Sequence, residues 1–276
     1  MSKAPSRLGI SGRVLAERRA LGRSAFIGYL PVGYPSVPVS LAAMRTLVTS
    51  GADIVEIGMP YSDPVMDGPV IQHAATRALE RGVRTRDLLT ATQVVAEAGA
   101  IPMAMIYWNL VERYGVEAFA RDLANSGGAG LIIPDLTPDE ASCWCTASDD
   151  YGLDRVFLIA PSSTDERIAM TMRACRGWVY ATSVLGVTGV RSQTSAAAPL
   201  IVERARRIDD GLPIGVGLGI SNGRQAAEVA GFADAVIVGS ALVECLIDAE
   251  AAGGDGLAGL RIRATELAAG TAGQQA

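Results

Sequence analysis

The sequence contains almost no lysine or histidine. Of its 24 lysine and arginine residues only Lys3 is a lysine, and His73 is the sole histidine in 276 residues. A Schiff-base mechanism needs a desolvated, firmly held lysine, whereas Lys3 lies in an N-terminal tail that we expect to be mobile. One histidine cannot make a histidine-rich zinc site, and no G-x-S-x-G motif accompanies it. We therefore predict no metal site and leave carboxylates, hydroxyls and backbone dipoles for any chemistry.

Other scarcities exclude further classes of protein. The net charge of −5 argues against nucleic acid or an anionic membrane as the main partner. No apolar run approaches the ~20 residues of a membrane span, and the arginine-rich N-terminus lacks the apolar core of a secretory signal. The four cysteines show no disulfide framework. These absences predict a cytoplasmic protein.

Short apolar runs alternate with amphipathic helical runs along the chain. Eight runs are typical of strands buried on both faces: 25–30, 54–58, 101–107, 130–134, 155–160, 178–183, 213–217 and 235–238. Helices are predicted at 38–50, 85–98, 116–126, 138–151, 164–174, 197–207 and 222–231, with a closing helix at 257–267. Eight β/α units without a break in composition predict an α/β fold, a single (β/α)8 TIM barrel over residues 1–276. A doubly wound open sheet is the alternative.

The two ends of the chain lie outside this repeat. An extra helix is predicted at residues 12–21, before the first strand. Residues 1–10 and 268–276 are expected to be flexible tails, the latter because glycine and alanine dominate there.

Two carboxylates close together in the sequence suggest acid–base chemistry. Glu56 lies within an apolar strand, and Asp67 follows in a loop rich in proline and glycine. Burying a carboxylate is costly, so its presence favours a group tuned for proton transfer. Two simpler interpretations stay open: Glu56 as a structural acid paired with an arginine, and Asp67 as an ordinary turn residue.

Three glycine-rich runs in the last third of the chain suggest phosphate binding. They are GVTG (186–189), GLGISN (217–222) and VGSA (238–241). Glycine lets backbone N–H groups approach an anion, and a helix beginning at Ser240 would direct its N-terminal dipole to the same place. Phosphate sites of TIM barrels often use these last loops. Plain turn chemistry is the alternative.

Several motifs together resemble one enzyme family. Residues 55–72 read VEIGMPYSDPVMDGPVIQ, and further matching segments are YLPVGYP (29–35), YWN (107–109), PDL (134–136), GVTG (186–189) and GLGIS (217–221). The arrangement of Glu56 and SDPxxDGPxIQ resembles the signature of the tryptophan synthase alpha subunit. The resemblance runs from about residue 13 to the closing helix.

This resemblance implies a carbon–carbon lyase of tryptophan biosynthesis. Its reaction would be retro-aldol cleavage of indole-3-glycerol phosphate to indole and glyceraldehyde 3-phosphate. Glu56 and Asp67 match the two catalytic carboxylates of the family, Glu56 as proton shuttle and Asp67 as acceptor of the indole N–H. No cofactor is implied for this chain. Pyridoxal phosphate is expected only in a separate beta subunit, with which the chain is expected to form an α2β2 heterotetramer.

Other positions carry over from the family by motif. The positions that match the substrate site of the family are Tyr29, Ile71, Ile132, Tyr180 and Thr188. Phosphate contacts are matched by Gly189, Gly219, Gly239 and Ser240, and the face toward the beta subunit by Asp63, Pro64 and Asn109. Two residues depart from the pattern: Tyr34 stands where some relatives have aspartate, and Val184 where some have arginine. We expect residues 184–198 to be a mobile loop that closes over substrate.

Three other hypotheses stay open at this stage. The chain could act as a free-standing lyase that releases indole, or as a catalytically silent barrel that binds a phosphate ligand or activates a partner. It could also be another phosphate-sugar isomerase or aldolase, although the lack of lysine and histidine weighs against that.

Overall fold

The computed structural model describes residues 7–182, 197–217 and 219–273. Its strands form one sheet of nine parallel strands in the order β5-β4-β3-β2-β1-β9-β8-β7-β6. The strands are β1 (Ala25–Pro31), β2 (Ile54–Gly58), β3 (Ile101–Met105), β4 (Gly130–Ile132), β5 (Asp154–Val156), β6 (Leu158–Ile159), β7 (Val179–Thr182), β8 (Ile214–Gly217) and β9 (Ala235–Val238). The first and last strands of this order, β5 and β6, are consecutive in the chain, so the sheet curls into a nearly closed barrel.

The fifth predicted strand, 155–160, is interrupted at Phe157. Before the break β5 pairs with β4, and after it β6 pairs with β7. Arg155 and Arg176 exchange two backbone hydrogen bonds in an isolated antiparallel bridge, and Tyr180 N donates to Phe157 O at 3.0 Å. One predicted strand therefore becomes two short ones, while the predicted eight-unit barrel is confirmed.

Helices cover the outside of the barrel in the described part of the chain. They are α1 (Ser11–Ala20), α2 (Val37–Thr49), α3 (Pro69–Glu80), α4 (Thr85–Ala98), α5 (Trp108–Tyr114), α6 (Val116–Asn125), α7 (Ser142–Asp150), α8 (Asp165–Ala174), α9 (Ala197–Ile208), α10 (Gly223–Ala230), α11 (Ser240–Ala251) and α12 (Leu257–Thr271). Most predicted helices lie within one or two residues of these bounds.

Two helices depart from their predicted bounds for visible reasons. Helix α7 begins at Ser142, because residues 137–141 form turns in which Glu140 N donates to Thr137 O and Ala141 N to Pro138 O. Helix α12 continues to Thr271, four residues into the segment expected to be a tail. Its Leu267 and Thr271 side chains are buried, so packing holds this end of the helix.

The pleat of the strands divides the core into two parts. Along β2, Ile54 belongs to the cluster inside the barrel, whereas Val55 and Ile57 belong to the cluster between strands and helices. Successive side chains of a strand point to opposite faces, so Glu56 points inward with Ile54. In the sheet register Glu56 lies between Tyr29 of β1 and Met103 of β3.

Helix α1 covers the N-terminal end of the barrel. Its Leu15 is fully buried in the inner cluster with Ile54. The carboxylate of Asp154 accepts hydrogen bonds from the backbone N–H groups of Ile10 and Ser11 and from Ser11 Oγ. With this end covered, a ligand would approach the interior from the C-terminal end of the strands, where barrel active sites lie.

Candidate active site

Glu56 is a buried carboxyl group that forms no ion pair with the described residues. It is 1% exposed, and its Oε1 has no hydrogen-bond partner within the described residues. Burial raises its pKa to about 8, because the low-dielectric interior disfavours the charged form. The alternative of a structural acid paired with arginine finds no support, since none of the ion pairs among the described residues involves Glu56. Glu56 is therefore protonated at neutral pH and able to donate a proton.

Asp67 lies half-buried in the loop between β2 and α3. Burial raises the pKa of its carboxyl group, and a hydrogen bond from the Tyr107 hydroxyl to Oδ1, at 3.4 Å, opposes that rise. Gln72 Nε2 donates to the Asp67 backbone carbonyl at 2.8 Å and so braces the loop against the first turns of α3. The Asp67 carboxylate keeps acceptor capacity beyond the bond from Tyr107.

Two tyrosines lie close to these carboxyl groups. Burial raises the pKa of Tyr29, and the charges of Asp67 and Glu56 raise it further. Burial also raises the pKa of Tyr180, with a smaller contribution from Glu56. Both side chains are partly exposed at the inner face of the barrel and stay neutral. The structure thus brings together four of the predicted site residues around one space.

Glycines make room for both tyrosine rings. A Cβ atom on Gly58 would clash with Tyr29 Oη, and one on Gly217 would clash with Tyr180 Oη. The rings therefore lie over the adjacent strands β2 and β8, each in a position that a larger residue would block.

The two predicted apolar wall residues occupy different parts of the core. Ile132 is fully buried in the inner cluster at the end of β4. Ile71 is 5% exposed in the first turn of α3, four residues after Asp67, and belongs to the larger cluster. Ile132 thus lies on the side of Glu56, and Ile71 follows the loop that carries Asp67.

The described part of the predicted phosphate site lies at β8 and β9. Gly219 has a left-handed backbone, φ +67°, which favours glycine. Gly239 precedes α11 as its N-cap, and Ser240 is the buried first residue of that helix. The first backbone N–H groups of a helix lack intrahelical partners, so this end of α11 is suited to an anion. Thr188, Gly189, Val184 and most of the predicted 184–198 loop lie outside the described residues.

The predicted partner residues form an exposed face beside Asp67. Asp63 and Asn109 are exposed, and Pro64 is half-exposed. Asn109 Nδ2 donates to Tyr61 Oη at 3.3 Å, and Val65 is 68% exposed.

Tyr34, one of the two departures, has a local structural role. Its hydroxyl donates to Glu250 Oε2 at 2.7 Å, and Arg81 Nη2 donates to the other oxygen of that carboxylate at 2.5 Å. These bonds join the segment after β1 to α3 and α11.

In the described ranges of the chain, no group of three His, Cys, Asp or Glu side chains could hold a metal ion. Nor does any helix there have the length and apolar character to cross a membrane.

Comparison with known proteins assigns the family. Residues 15–271 match the family described as tryptophan synthase alpha chain. The alpha chain of Mycobacterium marinum is 58% identical over 259 residues, covering 94% of this chain and 93% of that protein. This chain belongs to the tryptophan synthase alpha chain family. The alpha chain of Acidothermus cellulolyticus is 56% identical, covering 94% of this chain and 96% of that protein.

Solved structures of tryptophan synthase share the fold. Tryptophan synthase of Mycobacterium tuberculosis matches with a TM-score of 0.89 at 55% identity, covering 95% of this chain and 98% of that chain. The alpha subunit of Legionella pneumophila matches with a TM-score of 0.82 at 30% identity, covering 94% and 97%. The predicted family, TIM-barrel fold and lyase class are confirmed, and cleavage of indole-3-glycerol phosphate is the role of this family.

The predicted site residues do not include two residues beside Asp67, Tyr61 and Tyr107. Tyr107 donates to Asp67, and its ring stacks on Tyr61 with centroids 4.7 Å apart and planes at 22°. The YWN motif at 107–109 was visible in the sequence, but only Asn109 was given a role. The alternative of Asp67 as an ordinary turn residue does not account for this buried aromatic partner.

Proposed function

We propose that Glu56 and Asp67 carry the cleavage of indole-3-glycerol phosphate. This proposal rests on a protonated Glu56 on the inner barrel face, whose Oε1 has no partner among the described residues, with Asp67 and two neutral tyrosines around the same space. Perturbed carboxyl groups at the open end of a barrel are typical of acid–base catalysts.

The proton steps follow from the protonation state of Glu56. Glu56 gives its proton to the ring carbon that bears the glycerol chain, and positive charge develops on the indole nitrogen. Asp67 accepts the hydrogen bond of the indole N–H and stabilises that charge. The Glu56 carboxylate then takes the proton of the adjacent hydroxyl, the carbon–carbon bond breaks toward the ring, and an aldehyde forms. The net change moves one proton from oxygen to carbon, and each assisted transfer contributes about 10²–10⁴-fold.

The phosphate would be bound at the ends of β8 and β9. Gly219, Gly239 and Ser240 present backbone amides and a hydroxyl there, with the α11 dipole behind them. We propose Thr188 and Gly189 as further contacts, Tyr29, Tyr180, Ile132 and Ile71 as surroundings of the indole, and residues 184–198 as a loop that closes over substrate.

We propose that the chain works with a tryptophan synthase beta subunit in an α2β2 heterotetramer. Support comes from the exposed face of Asp63, Pro64 and Asn109 and from the likeness to solved tryptophan synthases. The chain itself would need no cofactor, because the indole ring accepts the electrons of the broken bond; pyridoxal phosphate would belong to the beta subunit. A biosynthetic enzyme of this kind would act in the cytoplasm.

An indole-release assay tests the proposal. Wild type, Glu56→Gln and Asp67→Asn are compared on indole-3-glycerol phosphate, each with and without a beta subunit. Both variants should lose activity without losing stability: Asp67→Asn should melt within a few degrees of wild type, and Glu56→Gln at or above it, because Gln avoids the cost of a buried charge. Wild-type activity no higher than that of Glu56→Gln would indicate a silent barrel. If no beta subunit binds the wild-type protein or changes its rate, the chain would be a free-standing lyase.

A further inference from the structure

Asp135 binds the first residue of the helix next to Asp67. It follows β4, and both carboxylate oxygens accept the backbone N–H of Trp108, at 2.9 and 3.2 Å. Trp108 is the first residue of α5, whose N-cap, Tyr107, makes no side-chain cap bond of its own. Asp135 thus supplies from another strand the cap that α5 lacks.

Tyr107, immediately before Trp108, is the residue that reaches Asp67. Its side chain is 5% exposed and stacks on Tyr61. Its hydroxyl donates to Asp67 Oδ1 and accepts from Met66 N, both at 3.4 Å. These distances lie at the long end for hydrogen bonds, so a displacement of a few tenths of an ångström at Tyr107 would break them.

We propose that Asp135 is a positioning residue for Asp67, acting through the start of α5 and the Tyr107 hydroxyl. The backbone N–H that Asp135 binds belongs to the peptide joining Tyr107 and Trp108, so the carboxylate restrains the backbone that carries the Tyr107 ring. This inference rests on the proposed function, in which Asp67 accepts the indole N–H. Without Asp135, α5 would shift or fray at its first turn, and the Tyr107 hydroxyl would move away from Asp67.

A purely structural cap predicts something different. Loss of an N-cap typically costs about 0.5–2 kcal/mol of stability wherever the helix lies. Thr164 is a matched cap on α8, where its side chain accepts from Arg167 N at 3.2 Å, and it belongs to no part of the proposed site. Thr164→Ala therefore controls for lost stability alone.

The experiment compares kcat/KM against pH for wild type, Asp135→Ala, Tyr107→Phe, the double variant and Thr164→Ala. The bond from Tyr107 lowers the pKa of Asp67, so Tyr107→Phe should move the acidic limb of the profile to higher pH. Asp135→Ala should move it in the same direction, with a roughly tenfold lower kcat and little change in KM. The double variant should be no worse than the more impaired single variant, because both act by one route. Asp135→Asn, which keeps one acceptor oxygen, should recover most of the rate.

Two results would overturn the inference. One is an Asp135→Ala profile that keeps the wild-type acidic limb while the protein melts earlier, as Thr164→Ala should. The other is additive loss in the double variant. If Asp135→Ala does not fold, Asp135→Leu, which keeps the bulk of the side chain but has no acceptor, provides the same comparison. Failure of the proposed function shows separately, as wild-type activity equal to that of Asp67→Asn, and would overturn both.

Discussion

Tyr29 and Glu56 are register partners on the neighbouring strands β1 and β2, and both point into the barrel. The Tyr29 ring leans over Gly58, two residues beyond Glu56, where any side chain would clash with it. A neutral aromatic hydroxyl and a protonated carboxyl group thus share one wall of the site. Glu56 is therefore buried at the open end of the barrel, and this burial raises its pKa.

Removing the Glu56 charge should stabilise the protein at alkaline pH. The pKa of Glu56 rises from 4.5 to about 8 on folding. Between these values the folded state holds the proton and the unfolded state does not, so wild-type stability falls as pH rises through this window. Glu56→Gln lacks this loss. It should match wild type near pH 4 and exceed it by about 3–5 kcal/mol at pH 9.

Urea unfolding at several pH values measures this difference. The same substitution at Glu97, an exposed acid on α4, is the control. Equal stability of Glu56→Gln and wild type at pH 9 would show that Glu56 is solvated or paired in the folded protein.

The activity should fall on the alkaline side as Glu56 ionises. A general acid is lost once its proton dissociates, and kcat/KM reports the pKa of the free enzyme. We expect an alkaline limb centred near pH 8 and an acidic limb set by Asp67, above the usual aspartate range because burial raises its pKa. Steady-state rates measured across this pH range test the expectation. A flat profile of kcat/KM from pH 6 to 10 would show that Glu56 is not the general acid.

Gly58→Ala should impair the site without unfolding the barrel. The added methyl group displaces the Tyr29 ring, and overpacking of this kind costs about 1–3 kcal/mol. Indole release should fall about tenfold or more, since displacement of the ring changes the surroundings of Glu56. Gly254→Ala is the control, because its Cβ makes only ordinary contacts. Wild-type rates for Gly58→Ala would show that the position of the Tyr29 ring does not matter.

The barrel was predictable because its strands are buried on both faces. Such strands appear as apolar runs, and a single acid within one of them, Glu56, is conspicuous. The helix bounds were predictable where an amphipathic stripe starts at a capping residue, as in α8, whose Thr164 side chain accepts from Arg167 N. At α12 the composition of residues 268–276 suggested a tail. The buried positions Leu260, Ala264, Leu267 and Thr271 continue at helical spacing, so packing overrode the small residues.

The surroundings of Asp67 could not be predicted in the same way. Tyr107 and Asp67 are 40 residues apart, and Asp135 lies 27 residues beyond Trp108. No periodicity relates such positions; they meet because neighbouring parallel strands end at the same edge of the barrel. The interruption of the fifth strand at Phe157 could not be predicted either. It follows from the pairing of Arg155 with Arg176 and not from any residue that disfavours strands.

The most direct measurement is the rate of indole release by Glu56→Gln relative to wild type near pH 7, on protein that melts no lower than wild type. Glutamine keeps the shape of the side chain but can neither give nor take the proton. If Glu56 carries the proton between hydroxyl and ring carbon, the rate should fall by at least about 10³-fold. A Glu56→Gln rate within tenfold of wild type would contradict that role.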